Sequence, residues 1–289
     1  MLGHNHYGEA EVRLLRVTRG PDEHDIVELS VSVALAGAFD ASYLAGDNTN
    51  ILPTDTQKNT VYAFARDGIG SPETFGLRLA RHFVDSHPAI YRARVSLVEY
   101  PWTRVARHSF VRALAGRRTA VVSYDGVHAW VVAGVADLVL LNSTGAEFSG
   151  FIVDRYTTLT PATDRLVATS VDAQWRYSIT SAEPVRWHRM HEQARRALTN
   201  AFAGTYSYSP QQTLYALGQA VLDAVPEAAE VRLSLPIKPH ALVDLAPFGR
   251  DNPGEVYCPV DRPHELIKGA VLREGAPPAG LAWSIHASV

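Results

Sequence analysis

The stretch Thr54-Asp55-Thr56-Gln57-Lys58-Asn59-Thr60 sets a hydroxyl beside a carboxylate where an irregular segment turns into a helix. The first N–H groups of a helix have no partner within it, and that end of the helix carries partial positive charge. An alcohol, an acid and free amides can therefore meet one small polar ligand at this junction. Other candidate chemistry is thinner. His188 and His191 are three apart with Glu192 following, a spacing that can set two metal ligands on one helix face. With no third ligand close in sequence, the pair reads as a solvated helix face, and His4 and His6 are read the same way. Asp47-Asn48 lacks the glycine and acid spacing of a calcium loop. No phosphate-binding glycine motif or dinucleotide fingerprint is present, so nicotinamide and flavin cofactors have no support.

These residues need a scaffold, and 289 residues are enough for one large core or two ordinary domains. A hydrophobic content of 46% with 20% charged residues is ordinary for a globular protein. The net charge of −3 argues against a nucleic-acid partner, which would require a basic face. Lysine occurs only at Lys58, Lys238 and Lys268, so lysine chemistry has few candidates. Cys258 is the single cysteine; it excludes an intrachain disulfide and is expected to be a passive, partly buried residue. No apolar run approaches the roughly 20 residues of a membrane helix, and no signal pattern opens the chain. The expected location is the cytoplasm, with no membrane partner.

The positioning elements follow from periodicity and punctuation. Val12–Thr18 and Ile26–Leu35 flank the turn Arg19-Gly20-Pro21-Asp22 as a hairpin. Asp55–Arg66 is expected as a helix, and Ser71-Pro72-Glu73 opens a second with a serine cap and proline at its first position. Tyr91–Tyr100, Thr119–Tyr124 and Val127–Gly134 are expected as strands. The second half repeats the order: strands Leu138–Asn142 and Val167–Tyr177, helix Arg186–Phe202, a helix opened by Ser209-Pro210, then further strands to Arg273. The repeat implies a tandem α+β duplication, with one unit over 9–137 and the other over 138–280.

In this order the chain resembles the urate oxidase (uricase) family, cofactor-free enzymes that oxidise uric acid with molecular oxygen. Matching blocks are Asn5-His6-Tyr7-Gly8, Gly46-Asp47-Asn48, Thr54–Tyr62, Trp102-Thr103-Arg104, His108-Ser109-Phe110 and Asn142-Ser143-Thr144. Phe148–Leu159, Asp164-Arg165, Gln211–Tyr215, Ser234-Leu235-Pro236 and Val243-Asp244-Leu245 continue the match. The resemblance implies two tandem tunnelling-fold (T-fold) domains with antiparallel sheets and helices on one face. It also implies a homotetramer around a tunnel, interfacial active sites, no cofactor, and oxygen as co-substrate. Arg165 matches the arginine that grips the ring edge, Gln211 the glutamine at the opposite edge, and Phe148 the aromatic on which the ring stacks. Thr54 and Asp55 match the pair that meets the far edge.

Two places depart from the family pattern. Glu9 stands where the family has the lysine of its base relay, and Ile237-Lys238-Pro239 replaces asparagine, lysine and histidine. Ile237 leaves an apolar lid over the ring, and Pro239 removes the relay histidine. His240 lies one residue on and reaches the pocket only if a bulge breaks strand alternation. Glu9 beside Thr54 can act as a base if burial raises its pKa, or can pair with a cationic substrate. Pro53 and Pro210 stiffen the backbone before Thr54 and Gln211. Three functions are compatible: oxidation of a urate-like heterocycle using Thr54 with Glu9, slow urate oxidation with His240 or water in the relay, or silent purine or pterin binding.

Overall fold

Alternating apolar and polar residues build the strands, and short polar caps start the helices. The computed structural model describes residues 1–114, 116–178, 186–260 and 262–284. The first half runs β1 (Val12–Arg19), β2 (His24–Gly37), α1 (Asp40–Ala45), α2 (Thr54–Asp67), α3 (Pro72–Asp85), β3 (Ile90–Glu99), β4 (Trp102–Ala106), β5 (Ser109–Arg112) and β6 (Arg117–Tyr124). It continues with β7 (Ala129–Asn142), β8 (Val167–Tyr177), α4 (Trp187–Gly204), α5 (Pro210–Ala224), β9 (Ala228–Lys238), β10 (His240–Leu242), β11 (Tyr257–Pro259) and β12 (Glu265–Leu272). Eight strands form one sheet in the order β1-β2-β3-β6-β7-β8-β9-β12, antiparallel throughout. The α+β class with antiparallel sheets is as expected.

Both helix starts read from caps are in place. Ser71 accepts a hydrogen bond from the Thr74 amide and Ser209 from that of Gln212, each with proline following. The helices cover one face of the sheet. Phe75, Leu79 and Phe83 of α3, Leu198 of α4 and Leu217 of α5 are fully buried in a core continuous across both halves. Gly76 lets α3 sit close, since a Cβ there would lie 2.8 Å from Val122 and 2.9 Å from Leu97. Beneath the helices Arg118 of β6 donates to both carboxylate oxygens of Glu73, at 2.9 and 2.7 Å.

Residues alternate faces along a strand, so Val121 points away from α3. There it meets Ala282 of the C-terminal segment, together with Val132, Trp130 and Trp283. Arg94 donates to the Ala282 carbonyl (3.1 Å), and the Trp283 indole donates to Glu230 (3.1 Å), fastening that segment across the face opposite the helices.

Four expectations need correction. Val127–Gly134 and Leu138–Asn142 are not separate strands: β7 runs through both, with a register shift between Val135 and Leu138. Asp137 sits there at φ 57°, and its amide donates to the Asp172 carboxylate at 2.9 Å instead of to the ladder. His191 is not on a solvated face; it is 4% exposed and hydrogen-bonded through Nε2 to the Gly134 carbonyl at 3.2 Å. Cys258 is exposed, not partly buried. Finally, α1 and the β4–β5 hairpin were not anticipated as elements. No residue of α1 is buried, so it has no apolar stripe to announce it.

Candidate active site

Two clusters hold the candidate residues. The first gathers at the start of α2. Thr54 is the first helical residue and Pro53 offers no side-chain cap, so no capping side chain competes for the amides of the first turn. Thr54 and Asp55 are exposed. The Asp55 carboxylate accepts from Lys58 at 2.5 Å and from Asn59 at 2.9 Å. The hydrogen bond and charge of Lys58 hold its pKa below the ordinary range. Lys58 shifts upward in turn, mainly through Asp55, with a smaller contribution from the Glu9 charge. That contribution sets half-buried Glu9 within electrostatic reach of the helix start.

The segment carrying Glu9 is fixed by its backbone. Val33 of β2 donates to the Glu9 carbonyl at 2.8 Å, and Tyr7 and Leu35 form an antiparallel bridge. Only glycine fits at position 8, where a Cβ would lie 1.8 Å from the Val33 oxygen. The Tyr7 hydroxyl donates to the Leu52 carbonyl (3.1 Å) and accepts from the Leu52 amide (2.8 Å). Buried Gln57 donates to the same carbonyl at 3.2 Å. Tyr7 and Gln57 therefore clamp the residues that lead into Thr54. Both lie inside blocks visible in sequence, but neither was assigned this positioning role.

The second cluster lies at the ends of β8, β9 and β12 and the entrance to α5. Phe148 forms a bridge with Ala162, and the neighbouring Glu147 amide donates to the Ser207 carbonyl at 2.8 Å. These bonds lace the Phe148 loop to the segment that enters α5 at buried Pro210 and exposed Gln211. The Phe151 ring stacks on Phe148 with centroids 5.1 Å apart and planes 13° from parallel. The Arg165 guanidinium lies 5.6 Å from the Phe148 centroid. It also lies 3.8 Å from a carboxylate oxygen of Glu265, a residue that sequence reading missed. Ile237 is 5% exposed and stands opposite Thr169 in β8 on one side and Glu265 in β12 on the other.

His240 falls just beyond the break in pairing that Pro239 makes: β9 ends at Lys238 and β10 joins a separate two-stranded sheet with β11. Its Nδ1 lies 3.0 Å from the Lys238 carbonyl. A carbonyl only accepts, so Nδ1 carries the proton and Nε2 of the neutral ring keeps its lone pair. Such a nitrogen can serve as a base.

The clusters do not meet within one chain. Glu9 is joined to β2 and Ile237 belongs to β9, five strand spacings further along the sheet. At roughly 4.8 Å per spacing that is about 24 Å, far beyond side-chain reach. No group of three or more His, Cys, Asp or Glu is placed to hold a metal among the described residues. No described helix is long and apolar enough to cross a membrane.

Comparison with known proteins supplies the context for this divided site. A family model described as Uricase matches residues 5–123 and 131–268. A uricase from Arthrobacter globiformis is 45% identical, aligned over 98% of this chain and 94% of its own length. A uricase from Danio rerio is 36% identical, with 93% of each chain covered. A crystal structure of the Arthrobacter globiformis uricase superposes with a TM-score of 0.92 at 46% identity, covering 96% of each chain. The chain therefore belongs to the uricase family and is an oxidase built on its α+β T-fold.

Proposed function

We propose that this chain oxidises a planar nitrogen heterocycle with molecular oxygen, without a resident cofactor, in a site completed between two copies of the chain. The observation that carries the proposal is the division of the candidate residues between opposite ends of one sheet. Thr54, Asp55 and Glu9 lie towards the β1 end, while Phe148, Arg165, Gln211 and Ile237 lie towards the β12 end. Both outer strands carry exposed apolar side chains, Leu15 and Val17 on β1 and Leu266 and Leu272 on β12, which supports an assembly that joins those edges. A homotetramer is the assembly the family implies, and two tandem units, 9–137 and 138–280, are its building blocks.

In this site the ring stacks on Phe148, while Arg165 and Gln211 grip its polar edges. The Thr54 hydroxyl relays a ring proton towards Glu9 or the free nitrogen of His240. The electron-rich ring then passes two electrons to oxygen, which with two protons becomes hydrogen peroxide. Pro210 and Pro53 hold the two helix starts that aim these groups. Ile237 supplies an apolar wall over the ring, which suits dioxygen. A water or peroxide held there loses a hydrogen-bond partner, a cost of about 1–3 kcal/mol that weakens hydration of the oxidised ring.

A second reading takes urate itself as the substrate, and the uricases among the relatives favour it. Oxygen uptake and ultraviolet absorbance, followed over a panel of planar heterocycles that includes urate, decide between the two. Uptake is expected on at least one ring and should vanish in Thr54→Ala. No uptake on any ring, or undiminished uptake in that variant, refutes the proposed roles.

A further inference from the structure

We infer that Glu265 is a specificity-determining residue of this site, setting it for a neutral or cationic heterocycle that bears an exocyclic amine, and against an anionic ring such as the urate monoanion. The inference rests on the proposed reading of Arg165, Phe148 and Gln211 as the ring-holding groups.

The ends of three adjacent strands bring the residues together. Arg165 lies just ahead of β8, Ile237 is next to last in β9, and Glu265 is the first residue of β12. Directly paired residues of neighbouring strands point to the same face, so Glu265 and Ile237 share one face, while Lys238 alternates to the other. Glu265 therefore stands beside the wall that Ile237 forms, not behind it.

The distance between Arg165 and Glu265 defines their relation. At 3.8 Å they form an ion pair outside hydrogen-bond range. Among the described residues Arg165 makes this pair and the Phe148 contact, and no hydrogen bond. Its donor fork thus remains available to a ring edge, while its charge is partly offset. An arginine in that state hydrogen-bonds to carbonyl and ring-nitrogen acceptors as well as before, but it favours an anion over a neutral molecule less strongly.

Charges on the other cluster point the same way. Asp55 pairs with Lys58, whose charge also reaches Glu9, so two carboxylates share one ammonium at the α2 start. When the clusters meet, Glu9 adds a carboxylate to the one that Glu265 already sets beside Arg165. A site of that balance repels an anionic ring. The free face of the Glu265 carboxylate, half-exposed at 51%, accepts hydrogen bonds from an exocyclic amine, a group that urate replaces with carbonyl oxygens.

The test uses the full chain in its native assembly, with urate as the anionic probe and 2,6-diaminopurine as the neutral, amine-bearing probe. Affinities are measured by calorimetry at neutral pH for the wild type, Glu265→Gln, Arg165→Gln and Gln211→Ala. The wild type should bind diaminopurine more tightly than urate. Glu265→Gln should tighten urate and weaken diaminopurine, changing their ratio about tenfold, an effect that shrinks as salt is raised. Thermal unfolding of Glu265→Gln should match the wild type, because the residue is half-exposed and the change is isosteric. A ratio changed by less than twofold, or a wild type that prefers urate, overturns the inference. Arg165→Gln and Gln211→Ala separate the two levels. If both variants bind both probes unchanged, the ring site itself is misplaced; if they lose binding while Glu265→Gln changes nothing, only the role of Glu265 falls.

Discussion

Replacing Tyr7 by phenylalanine isolates the clamp that positions Thr54. The ring packs edge-on against Phe39, with centroids 4.8 Å apart, and phenylalanine keeps that contact. What disappears is the hydroxyl, with its donation to the Leu52 carbonyl and its acceptance from the Leu52 amide. The carbonyl retains Gln57 as a partner, but the part-buried amide is left without its acceptor. Two hydrogen bonds at about 1 kcal/mol net each place the loss near 2 kcal/mol. For a chain of this size that lowers the melting temperature by about 3 °C. Freed residues ahead of α2 also let Thr54 drift, and a displacement of about 1 Å at a catalytic group can cost up to about a hundredfold in rate. The ring-holding residues lie in the other cluster, so kcat should fall while KM changes little. Thermal unfolding and steady-state oxygen uptake on the same preparation measure both effects. A Tyr7→Phe protein with unaltered melting temperature and kcat would show that the clamp does not position the helix start.

Two further predictions concern the scaffold. Glu73→Gln removes the nearer of the two carboxylates that face Arg118, whose side chain is 9% exposed, leaving only Glu99 at 4.0 Å, and should cost about 3 kcal/mol of unfolding free energy; denaturant titration that finds under 1 kcal/mol contradicts it. His191 has its pKa pushed down to about 3, first by burial and then by the nearby Arg118 charge. Its folded pKa is below the unfolded value of about 6.5, so its contribution is complete above that pH and is lost as pH falls towards 3. The lost stability approaches about 1.4 kcal/mol per pH unit in that window, and His191→Gln, which keeps a donor for Gly134, should flatten the slope. Equal slopes in the two proteins would count against a buried neutral imidazole.

Local chemistry made much of this fold readable. Ser71-Pro72 and Ser209-Pro210 carry their own start signals, and both helices begin there. The strand Val167–Tyr177 agrees with its expected limits, since a run buried at alternate positions has a period of its own. The continuity of β7 was hidden because Ala136-Asp137 imitates a strand end, and the Asp172 carboxylate that satisfies the bulge lies 35 residues away. His191 resembled a surface residue because its acceptor is a backbone carbonyl 57 residues off. At the site, the residue types were legible but their grouping was not. Arg165 and Glu265 are distant in sequence and meet only through the pairing of β8, β9 and β12. The separation of Thr54 from Arg165 is likewise a property of strand order, which no local pattern encodes.

Complementation between two inactive variants probes the shared site most directly. Thr54→Ala and Arg165→Gln chains are each expressed alone and then together, and oxygen uptake is measured on a heterocycle that the wild type oxidises. If every site takes Thr54 from one chain and Arg165 from another, random mixing of equal amounts makes about a quarter of the sites intact. The mixed protein should then recover about a quarter of wild-type activity, although neither variant is active alone. Mixed assemblies as inactive as their parents would mean that each site is built from a single chain, and the account would be wrong.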